Sequence, residues 1–236
     1  MKLPTEWNVD RLKDISEINR SSLGTTTDPY FEFPYLEISN VDYYGVIDND
    51  AIEKVTFEDA PSRARRRVFQ SCTIISSVRP NLQAAAYFPA DVKGLICSTG
   101  FNVVEPLENH VVPRFLYYVL ISEYARQYFE AVATGVGYPA VADKFFGTIE
   151  IPLPPLSEQI LIAGFLNKTL SFVDSTALLA STSRGSNGND DPRPKGLLTR
   201  QAEALVEYRK SLIHECITGK RRITTSNVKQ VEEAHV

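Results

Sequence analysis

The amino-acid sequence predicts an α+β fold, in which one domain with a twisted β-sheet and flanking helices is followed by long helices of coiled-coil type. Two patterns predict this arrangement. Short alternating or β-branched runs, separated by turn residues, fill most of positions 1–155 and are typical of strands. After three closely spaced prolines, apolar residues recur at steps of three and four, which is the spacing of a coiled-coil seam.

The first domain contains the predicted strands and two predicted helices. Strands are expected at 35–41 and 67–78 and in the segments "AAAYFP" and "LICSTGFNVVEP", because β-branched and aromatic residues are frequent there. A short helix is expected near positions 12–18, and one amphipathic helix is expected over 112–133. A glycine-rich loop, "TGVGYP", then leads through a short helical turn to a last strand that ends at Ile151.

The stretch "IPLPPLSEQILIAGFL" marks the junction between the domain and the helices. Pro152, Pro154 and Pro155 fix their own φ angles and bias the preceding residues away from helix. Ser157 is the predicted N-cap of the helix that follows. The junction is therefore expected to set the direction in which the first helix leaves the domain.

Two helices with apolar seams are predicted after the junction. The first carries apolar residues at steps of three and four, and the second repeats leucine every seven residues. Because such a seam must be buried, the two helices pack on each other as a hairpin, on another chain, or on the core of the first domain. The residues assigned to a partner or dimer contact are Leu166, Leu170, Val173, Leu198, Leu205 and Leu212.

The chain is accordingly divided into five parts. A polar segment between the two predicted helices is rich in Gly, Asn, Asp and Pro, which do not sustain a helix. The predicted parts are a binding domain at 1–155, a first spacer helix at 156–180, a flexible polar insertion at 181–196, a second spacer helix at 197–220 and a disordered tail at 221–236.

Composition places the chain among globular proteins. Of its 236 residues 43% are hydrophobic, and no apolar run approaches the roughly 18 residues of a membrane span. The N-terminal segment "MKLPTEWNVD" lacks the apolar region of a secretory signal. The three scattered cysteines form neither a metal spacing nor a disulfide framework. We therefore expect a cytoplasmic protein with no membrane partner.

The charge is unevenly distributed along the chain. The formal net charge is −4, yet residues 61–80 hold five arginines and no acidic residue. An asymmetric distribution of this kind can form a basic face on an acidic protein. The alternative is a set of solvated surfaces with no ligand.

The sequence contains no recognisable catalytic constellation. None of the three histidines is followed three or four positions later by a metal-ligating residue. The G-x-S-x-G and P-loop motifs do not occur, and "TGVGYP" lacks the third glycine of a dinucleotide-binding loop. We therefore predict no catalytic residue, no metal site and no cofactor on this chain, and interpret it as a binding module.

The candidate binding residues lie in four short segments. Arginines suit phosphate contacts, while glycines and small hydroxyl residues let the backbone approach a ligand. Each segment also has a simpler explanation, as a solvated charge run, a structural ion pair or a plain turn. The candidates for DNA contact are Arg63, Arg65, Arg66, Arg67, Arg79, Asn81, Thr99, Gly135 and Tyr138.

Taken together, these segments resemble the specificity subunits of type I restriction–modification systems. The resemblance rests on "LPTEWNVDRLKDI", "IISSVRPN", "STGFNVV", the "PLPPLSEQ" junction and "LVEYRKSLIHECITGK", in that order. It extends over nearly all of residues 3–220. The junction together with the end of the second helix is a specific signal, whereas "VRPN" or "STGF" alone is not.

The resemblance implies a non-catalytic DNA-recognition subunit. In this family a target recognition domain reads one half of a bipartite site in double-stranded DNA, and spacer helices dock the methyltransferase (modification) subunits. A restriction or translocase subunit joins the full complex. S-adenosylmethionine, ATP and Mg are then expected on the partner subunits.

The sequence departs from the family pattern in two ways. Family members usually carry two recognition domains, but the motifs occur once here, which indicates a half-length form that pairs with itself or with another half. The insertion at 181–196 interrupts the spacer helix. Two alternatives stay open: an inactive or truncated half-subunit that acts only as an interaction protein, and an enzyme with an unrecognised site.

Overall fold

The computed structural model describes residues 3–80, 84–182 and 197–233. Within them the chain forms ten strands and seven α-helices. In chain order these are β1 Asn8–Arg11, α1 Leu12–Ile15, β2 Ser16–Ile18, β3 Glu32–Leu36, β4 Glu53–Thr56, β5 Ala64–Arg67, β6 Thr73–Ser76, β7 Ala85–Tyr87, β8 Ile96–Ser98, β9 Phe101–Pro106, α2 Pro113–Leu120, α3 Glu123–Val132, α4 Asp143–Phe146, β10 Glu150–Leu153, α5 Leu156–Thr182, α6 Leu197–Ile217 and α7 Thr225–Glu233.

The fold is α+β, as the sequence predicts, but the strands are divided among three sheets. One four-stranded sheet has the order β2-β9-β6-β7 and is antiparallel throughout. A second has the order β4-β3-β8-β5, and its β3–β8 pair is parallel. Strands β1 and β10 pair separately. The short turn between β8 and β9 carries the chain from one four-stranded sheet to the other.

Three apolar clusters support the sheets, and the smallest, around Phe33 and Ile96, lies on the second four-stranded sheet. The largest one joins the first sheet to α2 and to the long helices, with Phe115, Leu116 and Ile162 fully buried. The second lies between the two four-stranded sheets and contains Ile74 and Phe101. The binding domain and the long helices therefore share one core.

The predicted helix over 112–133 is two helices. Ser122 interrupts it, because its hydroxyl donates to the Val119 carbonyl at 2.6 Å and accepts from the Ala125 N–H at 3.3 Å. Ser122 is thus the N-cap of α3. The preceding helix α2 is buried on every side from Phe115 to Leu120.

The junction forms a rigid start for α5. The Pro155 carbonyl accepts the N–H groups of Glu158 and Gln159 at 2.8 and 3.0 Å, so the helix begins at Leu156 and the prediction of Ser157 as its N-cap is wrong. The buried Gln159 side chain donates to the Pro154 carbonyl and accepts from the Val112 N–H, at 2.9 and 2.8 Å. These bonds tie the junction to the start of α2.

The long helices pack on each other as an antiparallel pair. Asp174 of α5 lies beside Arg209 of α6, and Glu158 lies beside Arg222, which follows α6. Both helices also pack on α2. The apolar seams are therefore buried within this chain. They lie partly between the two helices and partly against the core of the domain, which are two of the three expected arrangements.

The tail is helical where it is described, so the prediction of a disordered segment over 221–236 is wrong for most of it. Thr225–Glu233 forms α7, which packs on α5. Ile223 is buried, and Val228 and Val231 pack on the largest cluster. The sequence looks polar there because few apolar residues are needed to bury one face of so short a helix. The predicted insertion at 181–196 lies outside the described residues, apart from its first two positions in α5.

No helix within the described ranges is long and apolar enough to span a membrane.

Candidate nucleic-acid interface

Four segments of the domain are joined by backbone hydrogen bonds at one edge. The Thr99 N–H donates to the Arg63 carbonyl at 2.8 Å, and the Ser77 N–H donates to the Gly100 carbonyl at 2.8 Å. The Val141 N–H in turn donates to the Ser77 carbonyl at 2.8 Å. We call this surface the loop edge; it consists of Arg63, 77–79, 99–100 and 134–141.

The loop at 134–140 is closed on itself. Thr134 and Ala140 exchange two backbone hydrogen bonds, of 3.0 and 2.9 Å. Gly135 and Gly137 have φ angles of +115° and +83°, which favour glycine. A Cβ on Gly135 would also lie 3.0 Å from the Tyr138 carbonyl oxygen. The two glycines therefore allow a narrow loop that leaves Tyr138 71% exposed.

Arg79 joins this loop to the end of β6. Its N–H donates to the Pro139 carbonyl at 2.8 Å, and its guanidinium carbon lies 3.9 Å from the centre of the Tyr138 ring. Its φ angle of +47° is unusual for a residue with a side chain. The structure thus brings together three residues that the sequence predicted separately: Arg79, Gly135 and Tyr138.

The run "RARRR" is divided between the surface and the interior. Arg63 is exposed at the loop edge. Arg65 lies over the Phe57 ring at 4.5 Å and donates to the Ala64 carbonyl at 2.8 Å. Arg67 occupies the opposite end of β5 from Arg63, where it pairs with Ile96. Of these residues, only Arg63 shares the loop edge with Arg79.

Arg66 is the clearest correction to the predicted interface. Its guanidinium points into the fold, where it donates to the Phe101 carbonyl and to Asn102 Oδ1, the latter at 2.8 Å. Burial lowers its pKa. The same Asn102 oxygen accepts from Asn19 Nδ2 at 2.8 Å. Arg66 therefore joins the two four-stranded sheets through hydrogen bonds, and its guanidinium is not placed to contact phosphate.

The remaining predicted contacts fall in different places. Thr99 is partly exposed at the loop edge, beside Arg63. Asn81 lies outside the described residues. Arg63 and Arg79 form no ion pair with any residue in the described ranges, so their positive charges are free to meet an anion.

Most of the residues assigned to a partner helix are buried within this chain. Leu166, Leu170, Val173 and Leu212 belong to the interior of the helix pair. Their assignment to a contact with another chain is therefore not supported by this arrangement. Leu205 is partly buried and Leu198 lies within α6.

The apolar residues that the helices do expose were missed by the sequence analysis. Leu156 and Ile160, in the first turns of α5, are 40% and 60% exposed, and Tyr208 of α6 is 46% exposed. Leu156 and Ile160 stand four positions apart, on one helical face. A search for apolar residues outside the heptad seam would have identified them.

The described residues contain no group of three or more His, Cys, Asp and Glu side chains that could hold a metal ion. Cys72, Cys97 and Cys216 are buried, and burial raises the pKa of each thiol to about 12. These thiols are therefore protonated and act as small apolar core residues at neutral pH.

Comparison with known proteins identifies a family of DNA-recognition proteins. The family model described as "Type I restriction modification DNA specificity domain" matches residues 4–178. The chain is 25% identical over 169 residues to the type I restriction enzyme MjaIX specificity subunit of Methanocaldococcus jannaschii, covering 70% of this chain and 38% of that protein. It is 23% identical over 177 residues to the HindI specificity subunit of Haemophilus influenzae, covering 67% and 39%.

Two solved structures have a similar fold. The HsdS subunit from Thermoanaerobacter tengcongensis matches with a TM-score of 0.63 and 30% identity, covering 81% of this chain and 53% of that one. A chain from a structural study of assembly and conformational transition in the type I R-M system matches with a TM-score of 0.63 and 28% identity, covering 83% and 53%. This chain therefore spans less than two fifths of the curated relatives and about half of the solved chains.

Proposed function

The chain belongs to the family of type I restriction–modification DNA specificity proteins, and from this premise we propose that it reads one half of a bipartite site in double-stranded DNA. It would act as a non-catalytic subunit of a complex with adenine methyltransferase (modification) subunits, which would supply the S-adenosylmethionine site. A restriction subunit would supply the sites for ATP and Mg.

One structural observation supports this proposal most directly. The loop edge presents Arg63 and Arg79, which form no ion pair with the described part of the chain, next to an exposed aromatic ring, Tyr138, on closed and hydrogen-bonded loops. Cations that are free of ion pairs bind phosphates, and exposed base-contacting groups read sequence. Loops held rigidly by a scaffold lose little entropy on binding.

The helices would hold the reading domain at a fixed direction. Gln159 ties the junction to α2, and α2 packs against both long helices. A fixed direction is required if the distance between two half-sites is to be recognised. We assign the docking of the modification subunits to the exposed apolar residues Leu156 and Ile160.

A bipartite site needs a second reading domain. A second copy related by a two-fold axis would read a symmetric site, and a different half-length subunit would give an asymmetric one. Genome-wide mapping of methylated adenines, after co-expression with the cognate modification subunit, distinguishes these cases. A symmetric bipartite motif identifies a homodimer.

DNA binding by the purified chain tests the role of the loop edge directly. We expect Arg79→Ala to weaken binding to every sequence and to lower the salt dependence by about one counterion. Lys54→Ala is the matched control, because Lys54 is an exposed cation on β4, at the opposite edge of the second sheet from β5. Unchanged affinity and salt slope in Arg79→Ala would refute the assignment.

A second function is favoured by the exposed apolar turn of α5. The chain could occupy modification subunits without reading DNA, as an inactive half-subunit that acts only through protein contacts. It would then co-purify with them through Leu156 and Ile160 and show no sequence preference in DNA binding. The methylation map separates the two functions, since only the first yields a motif.

A further inference from the structure

Val136 is the most exposed large apolar side chain in the described ranges, with a relative exposure of 106%. It stands between Gly135 and Gly137, at the tip of the loop at 134–140. Scattered apolar residues on a surface are common. Val136 is unusual because a closed loop presents it to solvent next to Tyr138, on whose ring Arg79 stacks.

The tip is narrow, and the base of its loop is anchored by hydrogen bonds. A Cβ built on Gly137 would have no neighbour within 4 Å, so the flanking backbone is free on that side. Two hydrogen bonds between Thr134 and Ala140 close the base of the loop, and the Arg79 N–H anchors it through the Pro139 carbonyl. With no side chains beside it, the tip is thin enough for a minor groove of about 6 Å width.

The neighbours of the tip match the chemistry of a DNA groove. Tyr138 offers an exposed ring on which a base can stack. The guanidinium of Arg79 lies 3.9 Å from the centre of that ring, and its positive charge can meet the adjoining phosphate. Proteins that part base steps in the minor groove combine an apolar wedge with such flanking cations.

We propose that Val136 is a wedge that enters the minor groove and parts one base step within the half-site, with Tyr138 stacking on the exposed base. This inference rests on the proposed DNA-reading function and adds a mechanism to it. The wedge makes recognition depend on the deformability of that step, so pyrimidine–purine steps are preferred there.

The test first selects a DNA probe and then measures base unstacking. The full chain is used to enrich duplexes from a pool of random 40-base-pair sequences, and the enriched duplexes serve as the probe. Permanganate detects unstacked thymines and diethyl pyrocarbonate detects unstacked purines, so every base pair is covered. The variants are Val136→Ser, the conservative Val136→Ile, and Val46→Ser as a control at another exposed valine.

We expect the wild-type chain to create one hyper-reactive step at a fixed position in the enriched duplexes. Val136→Ile and Val46→Ser should keep this reactivity. Val136→Ser should return it to background and weaken binding about tenfold, the equivalent of one buried valine side chain.

Two results would overturn the wedge while leaving DNA reading intact. One is tight, selective binding by the wild-type chain without any hyper-reactive base, and the other is full reactivity in Val136→Ser. If the wild-type chain enriches no duplex, the proposed function itself fails, and the wedge fails with it. Circular dichroism of Val136→Ser confirms that any change does not come from unfolding.

Discussion

Arg222 and Glu158 form an ion pair across 64 positions of sequence, with Arg222 Nε 3.0 Å from Glu158 Oε1. The same carboxylate accepts a hydrogen bond from Trp7 Nε1 at 3.2 Å, and Arg222 also pairs with Glu6. Three distant segments therefore meet at the first turn of α5: the N-terminal segment, the junction and the end of α6. The direction of the helices is set by this contact as well as by the prolines.

Gly219 lies beside the same N-terminal segment and is the subject of the first prediction. It has a φ angle of +71°, and a Cβ there would lie 2.5 Å from Pro4 Cγ. We expect Gly219→Ala to lower the free energy of unfolding by about 3 kcal/mol, from the backbone angle and the overlap together. Denaturant titration measures it. Gly94→Ala is the control, since Gly94 has a φ angle of +81° and no described atom lies within 4 Å of its Cβ position. If Gly94→Ala lost as much stability as Gly219→Ala, the overlap with Pro4 would contribute nothing.

The two roles within "RARRR" give a second prediction. Arg66→Ala removes the hydrogen bonds to the Phe101 carbonyl and to Asn102 Oδ1, so we expect a loss of about 2 kcal/mol in the free energy of unfolding. Arg63→Ala, at an exposed position, should change stability by less than about 0.5 kcal/mol while weakening DNA binding. The opposite pattern, a stable Arg66→Ala and an unstable Arg63→Ala, would contradict the structural role of Arg66.

The ion pair between the long helices gives a third prediction. Arg209 is 4% exposed and its Nε lies 3.0 Å from Asp174 Oδ1, an ion pair without the alignment of a hydrogen bond. Burial raises the pKa of Asp174, and Arg209 opposes that rise. Asp174→Ala leaves a buried cation without its partner, so we expect a loss of about 3 kcal/mol. In a double-mutant cycle, Asp174→Ala with Arg209→Met should lose less than the sum of the single changes; strict additivity would show that the pair is not coupled.

The partly buried carboxyl of Glu105 gives a pH-dependent prediction. Its Oε2 pairs with Arg20 at 2.7 Å, but its Oε1 is buried and has no hydrogen-bond partner in the described part of the chain. Burial raises the pKa of Glu105 despite Arg20. Because the folded state then holds the proton more tightly than the unfolded state, stability falls as pH rises from the unfolded pKa to the folded one.

We therefore expect Glu105→Gln to gain stability relative to the wild type as the pH is raised from 4 to 7. Thermal unfolding across that range measures the difference. Glu17→Gln is the control, because Glu17 pairs with the same arginine from an exposed position. If the stability of Glu105→Gln relative to the wild type fell as the pH rose, the prediction would be refuted.

The sequence predicted the fold class and the positions of the long helices, because periodicity is a strong signal over many residues. It did not predict the break at Ser122, since a serine inside an apolar run reads equally well as a helical residue or as a cap. It also missed α7, where two valines and the preceding Ile223 bury a short polar helix.

For the candidate site, sequence reasoning found the segments but not their division into surface and interior. Arg63 and Arg66 have the same chemistry and stand three positions apart, yet one is exposed and the other hydrogen-bonds Asn102. That difference depends on the pairing of β5 with β8, including the irregular register between Ala64 and Arg66. Long-range pairing of this kind leaves no local signal. The same limit applies to Gln159, whose partner is Val112.

Pro4 lies against Gly219, so the N-terminal segment and the end of α6 are neighbours in space. The order of the elements along the chain can therefore be changed without changing how they pack. A circular permutant, with the original ends joined by a flexible linker and new ends placed in an exposed surface loop, would keep the same packing.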